Sequence, residues 1–143
     1  MDHLSTKDRS LNMSKIRSKH TKPEMIVRSM LHRMGYRFRL HVKKLPGKPD
    51  IVLKKYNTII FCNGCFWHQH PGCKKAAVPK TNQSYWLPKL NKNVTRYVDI
   101  VTELKEMGWY VTTIWECETK DPETLRQIIN LYLKHNMHRK NIL

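Results

Sequence analysis

Residues 57–73, NTIIFCNGCFWHQHPGC, run from an almost wholly apolar segment into a loop crowded with cysteine, histidine and aromatic residues. A short apolar segment rich in isoleucine predicts a strand that is buried on both faces. We therefore place the centre of a β-sheet at residues 57–62. The loop begins where this strand ends, at Cys62 to Cys65, and we expect it to carry the chemistry.

The segment before this strand brings a carboxylate to the same sheet. Residues 43–50, KKLPGKPD, predict a turn, because two prolines and a glycine cannot continue a strand. Asp50 follows the second proline and begins DIVL, which we interpret as another central strand. Residues 36–42, YRFRLHV, alternate apolar and polar side chains and predict a half-buried strand. Asp50 thus begins one central strand, and Cys62 lies where the next one ends.

A helix is predicted before these strands. Residues 21–24, TKPE, have the form of a capping box, with Thr21 as the N-cap and Glu24 three positions later. Proline suits the first turn of a helix, and Gly35 can supply the left-handed conformation that ends one.

Further helical signals follow the cysteine-rich loop. Apolar residues at intervals of three and four predict a long amphipathic helix from Tyr85 to Met107. Residues 109–117, WYVTTIWEC, predict a strand, and Asp121 with the following proline opens a last helix. The predicted order is helix, three strands, helix, strand, helix, which is an α/β fold.

The charge of the chain indicates a polyanionic partner. The 143 residues are enough for one domain, and 27 Lys and Arg against 11 Asp and Glu give a net charge of +16. A fixed positive field of this size attracts phosphates, so nucleic acid is the expected partner. We expect no membrane partner and a cytoplasmic setting, because the sequence has neither an apolar run of membrane-spanning length nor a secretion signal.

The first 20 residues differ from the rest in being polar, basic and without a sustained period. We interpret residues 1–20 as a flexible basic arm and residues 21–143 as a single domain. Met13 is the most apolar candidate in the arm for a wedge between base pairs. The alternative is that Met13 packs on the edge of the domain.

Cysteine and histidine spacing predicts a metal site. Cys65, His70, Cys73 and Cys117 could form a tetrahedral, structural zinc site, because thiolates and imidazole suit zinc and four protein ligands leave no open position. Cys62 and Cys65 also form a C-x-x-C pair, so an all-cysteine site is a rival ligand set. We favour the set with His70.

Two further side chains are candidates for reaction chemistry. A carboxylate at Asp50 can hold Mg²⁺, which usually takes only one or two protein carboxylates. The imidazole of His68 can act as a general base on a water, so that the pair would hydrolyse a phosphodiester. The structural alternatives are a turn residue at Asp50 and a packed histidine at 68.

Aromatic residues add a third element. Phe66, Trp67 and Trp86 have few apolar neighbours in the sequence. Exposed rings on a basic protein stack on bases or insert between them. The alternative is that these rings cover the zinc loop.

Four segments together resemble the very short patch repair endonuclease family, Vsr: LPGKPD (45–50), IIFCNGCFWHQHPGC (59–73), YWLPKLNKNV (85–94) and IWEC (114–117). The resemblance implies a restriction-endonuclease-like core, with a central mixed β-sheet flanked by helices and a structural zinc site. It implies a Mg²⁺-dependent enzyme, expected to be a monomer, that nicks double-stranded DNA on the 5′ side of a thymine mispaired with guanine. Since this lesion arises from deaminated 5-methylcytosine, a DNA cytosine methyltransferase would be the linked partner.

The resemblance also implies roles for individual residues. Asp50 would be the magnesium ligand, completed by the main-chain carbonyl of Cys62, and His68 the catalytic base. Glu24 would be a further active-site acid near the attacking water, although its capping-box position offers a purely structural account. The zinc ligands would be the set given above, and DNA would be entered by Phe66, Trp67 and Trp86 from the major groove and by Met13 from the minor groove.

The sequence departs from the family pattern at a few positions. Cys62 and Asn63 stand where the family usually has Thr and His, and Tyr97 replaces an Asp that orients the catalytic histidine. Gly72 lengthens the zinc loop by one residue. Two rival functions follow: the same scaffold cutting matched or modified DNA with a restriction system, or a catalytically silent zinc-containing DNA-binding module.

Overall fold

The computed structural model describes residues 20–142, and it describes side chains as far as residue 134. Met13 and residues 1–19 of the predicted arm lie outside the described part. The division into an arm (1–20) and one domain (21–143) therefore stays a prediction.

The described residues form three helices and four strands in the predicted order. They are α1 (Lys22–Arg33), β1 (Arg39–Leu40), β2 (Ile51–Leu53), β3 (Thr58–Asn63), α2 (Gln83–Glu106), β4 (Tyr110–Trp115) and α3 (Pro122–Ile142). Short 3-10 turns lie at Lys54–Tyr56, Lys74–Ala76 and Glu116–Thr119. Among the described helices, none is long and apolar enough to cross a membrane.

The four strands make one mixed sheet in the order β1-β2-β3-β4. The β1–β2 and β2–β3 pairs are antiparallel, whereas β3 and β4 run parallel over the whole length of β3. Five of the six β3 residues are buried, so the predicted sheet centre is confirmed. The predicted strand at 36–42 is shorter than expected, because only Arg39 and Leu40 pair with β2.

The core lies on both faces of the sheet. One face packs against α1 and α3 through Val27, Leu31, Ile51, Leu53, Ile60, Ile114, Leu125, Ile129 and Leu133. The other packs against α2 through Val52, Ile59, Phe61 and Leu104. Burying each such apolar side chain contributes about 1.5–3 kcal/mol. Alternate residues of β3 pack against helices on opposite faces of the sheet. The central strand is therefore stabilised from both sides.

The start of α1 follows the sequence prediction with one correction. Thr21 is the N-cap, and its hydroxyl accepts a hydrogen bond from the Glu24 backbone amide at 3.4 Å. The Glu24 carboxylate, however, accepts from the amide of His20 at 3.1 Å rather than from that of Thr21. The reciprocal bond has thus moved one residue outward, and Glu24 is turned into the interior with 1% of its surface exposed.

The turn that leads to Asp50 is held against α2 by a glycine. Gly47 has a φ of +74°, and a Cβ there would lie 2.5 Å from Cγ2 of Ile100. A side chain at 47 is therefore excluded both by the backbone conformation and by the helix.

We predict that Gly47→Ala lowers the free energy of unfolding more than Gly108→Ala does. Both positions have positive φ, which costs an alanine about 1–2 kcal/mol, but a Cβ at Gly108 meets nothing within 4 Å. Overlap with Ile100 adds about 1–3 kcal/mol at position 47 only. Urea denaturation of the two variants measures the difference. Equal losses would mean that the turn is not packed on α2 as described.

Candidate active site and metal centre

Asp50 lies at the junction of the two central antiparallel strands. Ile51 pairs with Ile60, so the chain just before β2 lies beside the end of β3. The backbone amide of Cys62 donates to Oδ2 of Asp50 at 2.8 Å. Burial raises the pKa of Asp50 to about 6, against the opposing effect of this hydrogen bond. The carboxylate is thus held in a site that disfavours its charge in the absence of a cation.

Glu24 lies close enough to the same junction for its charge to act on Asp50, and it has several cationic or polar neighbours. Its carboxylate contacts Nε2 of His41 at 2.9 Å and Nη1 of Arg28 at 3.2 Å. The His41 amide in turn donates to the backbone carbonyl of Asp50 at 3.1 Å. The sequence pattern did not predict a role for His41 or Arg28. The only available signal was a histidine on the polar face of the strand preceding the Asp50 turn.

Cys62 presents its backbone, rather than a reactive thiol, to this junction. Burial, followed by the charges of Asp50 and Glu24, raises the pKa of the Cys62 thiol well above its ordinary value. In the absence of a metal ion the side chain therefore stays a neutral thiol at physiological pH.

His68 is held in the loop after β3 with part of its ring unpartnered. Its amide donates to the carbonyl of Gly64 at 3.2 Å. Burial, followed by the charge of Arg96, lowers the pKa of the imidazole, so the neutral ring is favoured. Within the described part of the chain, Nδ1 of His68 is buried and has no hydrogen-bond partner.

Tyr97 packs against His68 but does not orient it by a hydrogen bond. The two rings meet edge to face, with centroids 5.4 Å apart. The Tyr97 hydroxyl is bonded to Oγ1 of Thr113 instead. Burial raises the pKa of Tyr97 to about 12, and the charge of Asp50 also raises it. Tyr97 is therefore an uncharged side chain that packs against His68. It lies close enough to Asp50 for the charge of that carboxylate to raise the Tyr97 pKa.

Four side chains converge at the adjacent edge of the sheet. The ligand atoms of Cys65, His70, Cys73 and Cys117 all lie within 4.8 Å of one another. Nδ1 of His70 is 3.7 Å from Sγ of Cys65 and 3.5 Å from Sγ of Cys117. Sulfur and nitrogen ligands of a tetrahedral zinc ion are about 3.6 Å apart, given bonds of about 2.3 and 2.05 Å. The group fits such an ion, and Cys62 lies outside it.

The parallel pairing of β3 with β4 creates this group. Asn63 pairs with Trp115, so the loop after β3 and the turn after β4 leave the sheet side by side. The His70 ring stacks on Trp115 with centroids 4.2 Å apart and planes 13° from parallel. The Cys65 amide donates to Oε1 of Glu116 at 3.4 Å.

The predicted aromatic residues form one cluster between the loop and the start of α2. The ring centroids of Phe66, Trp67 and Trp86 are 5.3–5.8 Å apart, and all three side chains are half-buried. Tyr85 extends the cluster and is 46% exposed, and its membership was not predicted from the sequence. Nζ of Lys89 lies 5.4 Å from the Trp67 ring centroid. The cluster thus presents aromatic surface together with a cation.

Comparison with known proteins gives a match over residues 1–75 to the family described as DNA mismatch endonuclease Vsr. The chain is 46% identical to Type II nicking enzyme V.NmeAIP of Neisseria meningitidis over 129 residues, covering 90% of this chain and 91% of the relative. It is 47% identical to Type II nicking enzyme V.XorIIP of Xanthomonas oryzae over 120 residues, covering 84% and 88%. It is 41% identical to DNA mismatch endonuclease Vsr of Escherichia coli over 117 residues, covering 82% and 74%.

We predict that Asp50→Asn stabilises the protein at neutral pH when no divalent cation is added. The folded pKa of about 6 is raised from 3.8, so ionisation of Asp50 opposes folding once the pH rises through this window. At about 1.4 kcal/mol per pKa unit, the penalty reaches about 3 kcal/mol by pH 7 and vanishes below about pH 4.

Urea denaturation of both proteins between pH 4 and 7.5, without added magnesium, measures this difference. Asp99→Asn is the control, because Asp99 is exposed on α2. A pH-independent difference between Asp50→Asn and the parent would contradict the burial argument.

Proposed function

The chain belongs to the Vsr family of DNA mismatch endonucleases, and from this premise we propose that it nicks duplex DNA on the 5′ side of a thymine mispaired with guanine. It is a DNA-cleaving hydrolase, because its relatives are named as a DNA mismatch endonuclease and as nicking enzymes. The observation that carries the proposal is the half-buried Asp50 carboxylate bonded to the Cys62 amide, next to the loop that holds His68, Phe66 and Trp67. We assign the α/β core to the restriction-endonuclease-like class because the chain belongs to the Vsr family.

Asp50 and the main-chain carbonyl of Cys62 would hold Mg²⁺. An ion at this place would polarise the scissile phosphate and lower the pKa of a bound water. Mg²⁺ fits this place because both groups offer oxygen ligands. A cation would also offset the free-energy cost of the negative charge on Asp50, which burial makes unfavourable. Glu24 adds a buried carboxylate close to this place, in keeping with its proposed position near the attacking water.

His68 is the proposed general base. Because its pKa is lowered, the imidazole is neutral at physiological pH and can accept a proton from the attacking water on a ring nitrogen. The Tyr97 ring packs against one side of the His68 ring, and its hydroxyl is bonded to Thr113 and not to a ring nitrogen of His68. Packing would thus orient His68, a role that an aspartate has in the family pattern.

The proposed DNA interface combines charge and aromatic rings. The net charge of +16 supplies contacts to phosphates that do not depend on sequence. Phe66, Trp67 and Trp86 would enter the base stack beside the mismatch, where unstacking costs least. Met13, in the arm, would act from the other groove. A DNA cytosine methyltransferase would be the linked partner, and we expect the enzyme to act as a monomer.

A second candidate function is the nicking of matched or modified duplex DNA together with a restriction system. It is favoured by the names of two relatives, which are called Type II nicking enzymes. The same Asp50 centre would serve both functions, so they differ in the DNA that is recognised. The comparisons leave the silent DNA-binding module without support.

We also propose that the Cys65, His70, Cys73 and Cys117 group holds a structural zinc ion. The ion would fix the loop that carries His68, Phe66 and Trp67, since this loop has little buried apolar surface of its own.

Metal analysis should find one zinc per chain, lost in Cys117→Ser and retained in Cys62→Ser. The two variants make the same chemical change inside and outside the group. Loss of zinc in Cys62→Ser with retention in Cys117→Ser would overturn the ligand set and favour a site built on Cys62 and Cys65.

The function is tested by mapping nicks in Mg²⁺ on duplexes that carry one T·G pair in randomised flanks, beside T·A duplexes. We expect nicks 5′ of the mismatched thymine only, and a rate lowered by about 10²- to 10⁴-fold in His68→Ala with DNA binding retained. His32→Ala, an exposed histidine of α1, is the matched control. Equal nicking of T·A duplexes would favour the restriction reading, and normal nicking by His68→Ala would remove His68 from the mechanism.

A further inference from the structure

A second group of metal-ligating side chains surrounds Glu24. The ligand atoms of His20, Glu24 and His41 all lie within 4.8 Å of one another. Nε2 of His41 is 2.9 Å from Oε1 of Glu24, and Nδ1 of His20 is 3.8 Å from Oε2. The group contains no cysteine and shares no residue with the four-ligand group.

The donor set indicates which class of ion would fit. Two imidazoles and one carboxylate favour a divalent transition metal such as Mn²⁺, Co²⁺ or Zn²⁺ over Mg²⁺, which prefers oxygen ligands. Nitrogen and oxygen ligands about 2.1 Å from an ion are about 3.0–3.4 Å apart at octahedral or tetrahedral angles. The contact of His41 with Glu24 is already close to this spacing, and that of His20 needs a shift of less than an ångström.

The guanidinium of Arg28 lies where the candidate metal ion would be bound, beside His20 and Glu24. Its Nη1 is 3.0 Å from Nδ1 of His20 and 3.2 Å from Oε2 of Glu24, so it contacts two of the three candidate ligands. The position is therefore one that stabilises a cation. The Arg28 side chain belongs to the outer part of α1 and is 23% exposed, so it can move outward to solvent.

The backbone around the group is also unusual. His20 and His41 both have positive φ, at 56° and 46°, in a region that residues with side chains seldom adopt. These conformations direct the two imidazoles to the same carboxylate from different segments, and their rings meet edge to face with centroids 5.0 Å apart. Strained backbone of this kind collects at binding sites.

We propose that His20, Glu24 and His41 form a second metal site, specific for a divalent transition metal ion and gated by Arg28. It lies beside the proposed nicking centre, because the His41 amide is bonded to the Asp50 carbonyl at 3.1 Å. The ion is held by this chain's side chains alone and does not require bound DNA.

The first experiment titrates Co²⁺ into zinc-loaded Asp50→Ala protein, in which the proposed magnesium site is absent. We expect one Co²⁺ per chain by calorimetry, with affinity lowered about tenfold or more in added His20→Gln or His41→Gln. His32→Gln, a histidine on the exposed side of α1, should bind as the parent does. Arg28→Gln should bind Co²⁺ more tightly, because the competing cation is gone.

A second readout uses Asp50→Ala protein in which His20, Glu24 and His41 are unaltered, so Mn²⁺ has no proposed magnesium site to occupy and the result does not depend on how the ligand variants fold. Substoichiometric Mn²⁺ should broaden the imidazole NMR signals of His20 and His41 before that of His32. The proposal is overturned if Asp50→Ala protein binds no Co²⁺, if His41→Gln binds as tightly as the parent, or if the His32 signal broadens together with the other two. Since none of these measurements involves cleavage, their failure is distinct from a failure of the proposed nicking activity.

Discussion

The hydrogen bond from the Cys62 amide to the Asp50 carboxylate, at 2.8 Å, is the interaction on which the candidate site depends. It joins the start of β2 to the end of β3, the most deeply buried strand, and so fixes a carboxylate relative to the sheet. It also lowers the cost of a charge that burial makes unfavourable. The turn before Asp50 can reach this position because Gly47 lets it lie directly on α2.

The same strand connects the two chemical centres. β3 ends at Asn63, and Cys65 follows it into the four-ligand group, which the parallel pairing with β4 completes through Cys117. The loop with His68, Phe66 and Trp67 therefore begins at a fixed strand end, and the four-ligand group holds its later part against the turn after β4. The segment proposed to contact DNA has little core of its own and is thereby connected to the rigid part of the sheet.

The sequence predicted those features that depend on local pattern. The order of elements, the central strand at 58–63, the N-cap at Thr21 and the joint position of Asp50 and Cys62 are all readable from periodicity and turn residues. Other features depend on distant segments meeting, and these were missed. The contact of His41 with Glu24 joins an αL residue to a buried helix start, and neither position has a local signal. The bond of Tyr97 to Thr113, rather than to His68, depends on how α2 lies over β4.

The central claim is that the Asp50 junction places a metal ion on the phosphate that is cut. It is tested most directly by replacing one non-bridging oxygen of the phosphate 5′ to the mismatched thymine with sulfur, and measuring single-turnover nicking. Mg²⁺ binds sulfur poorly and Mn²⁺ binds it better. The account predicts that one diastereomer is cut slowly in Mg²⁺ and regains its rate in Mn²⁺. Normal cutting of both diastereomers in Mg²⁺ would contradict it.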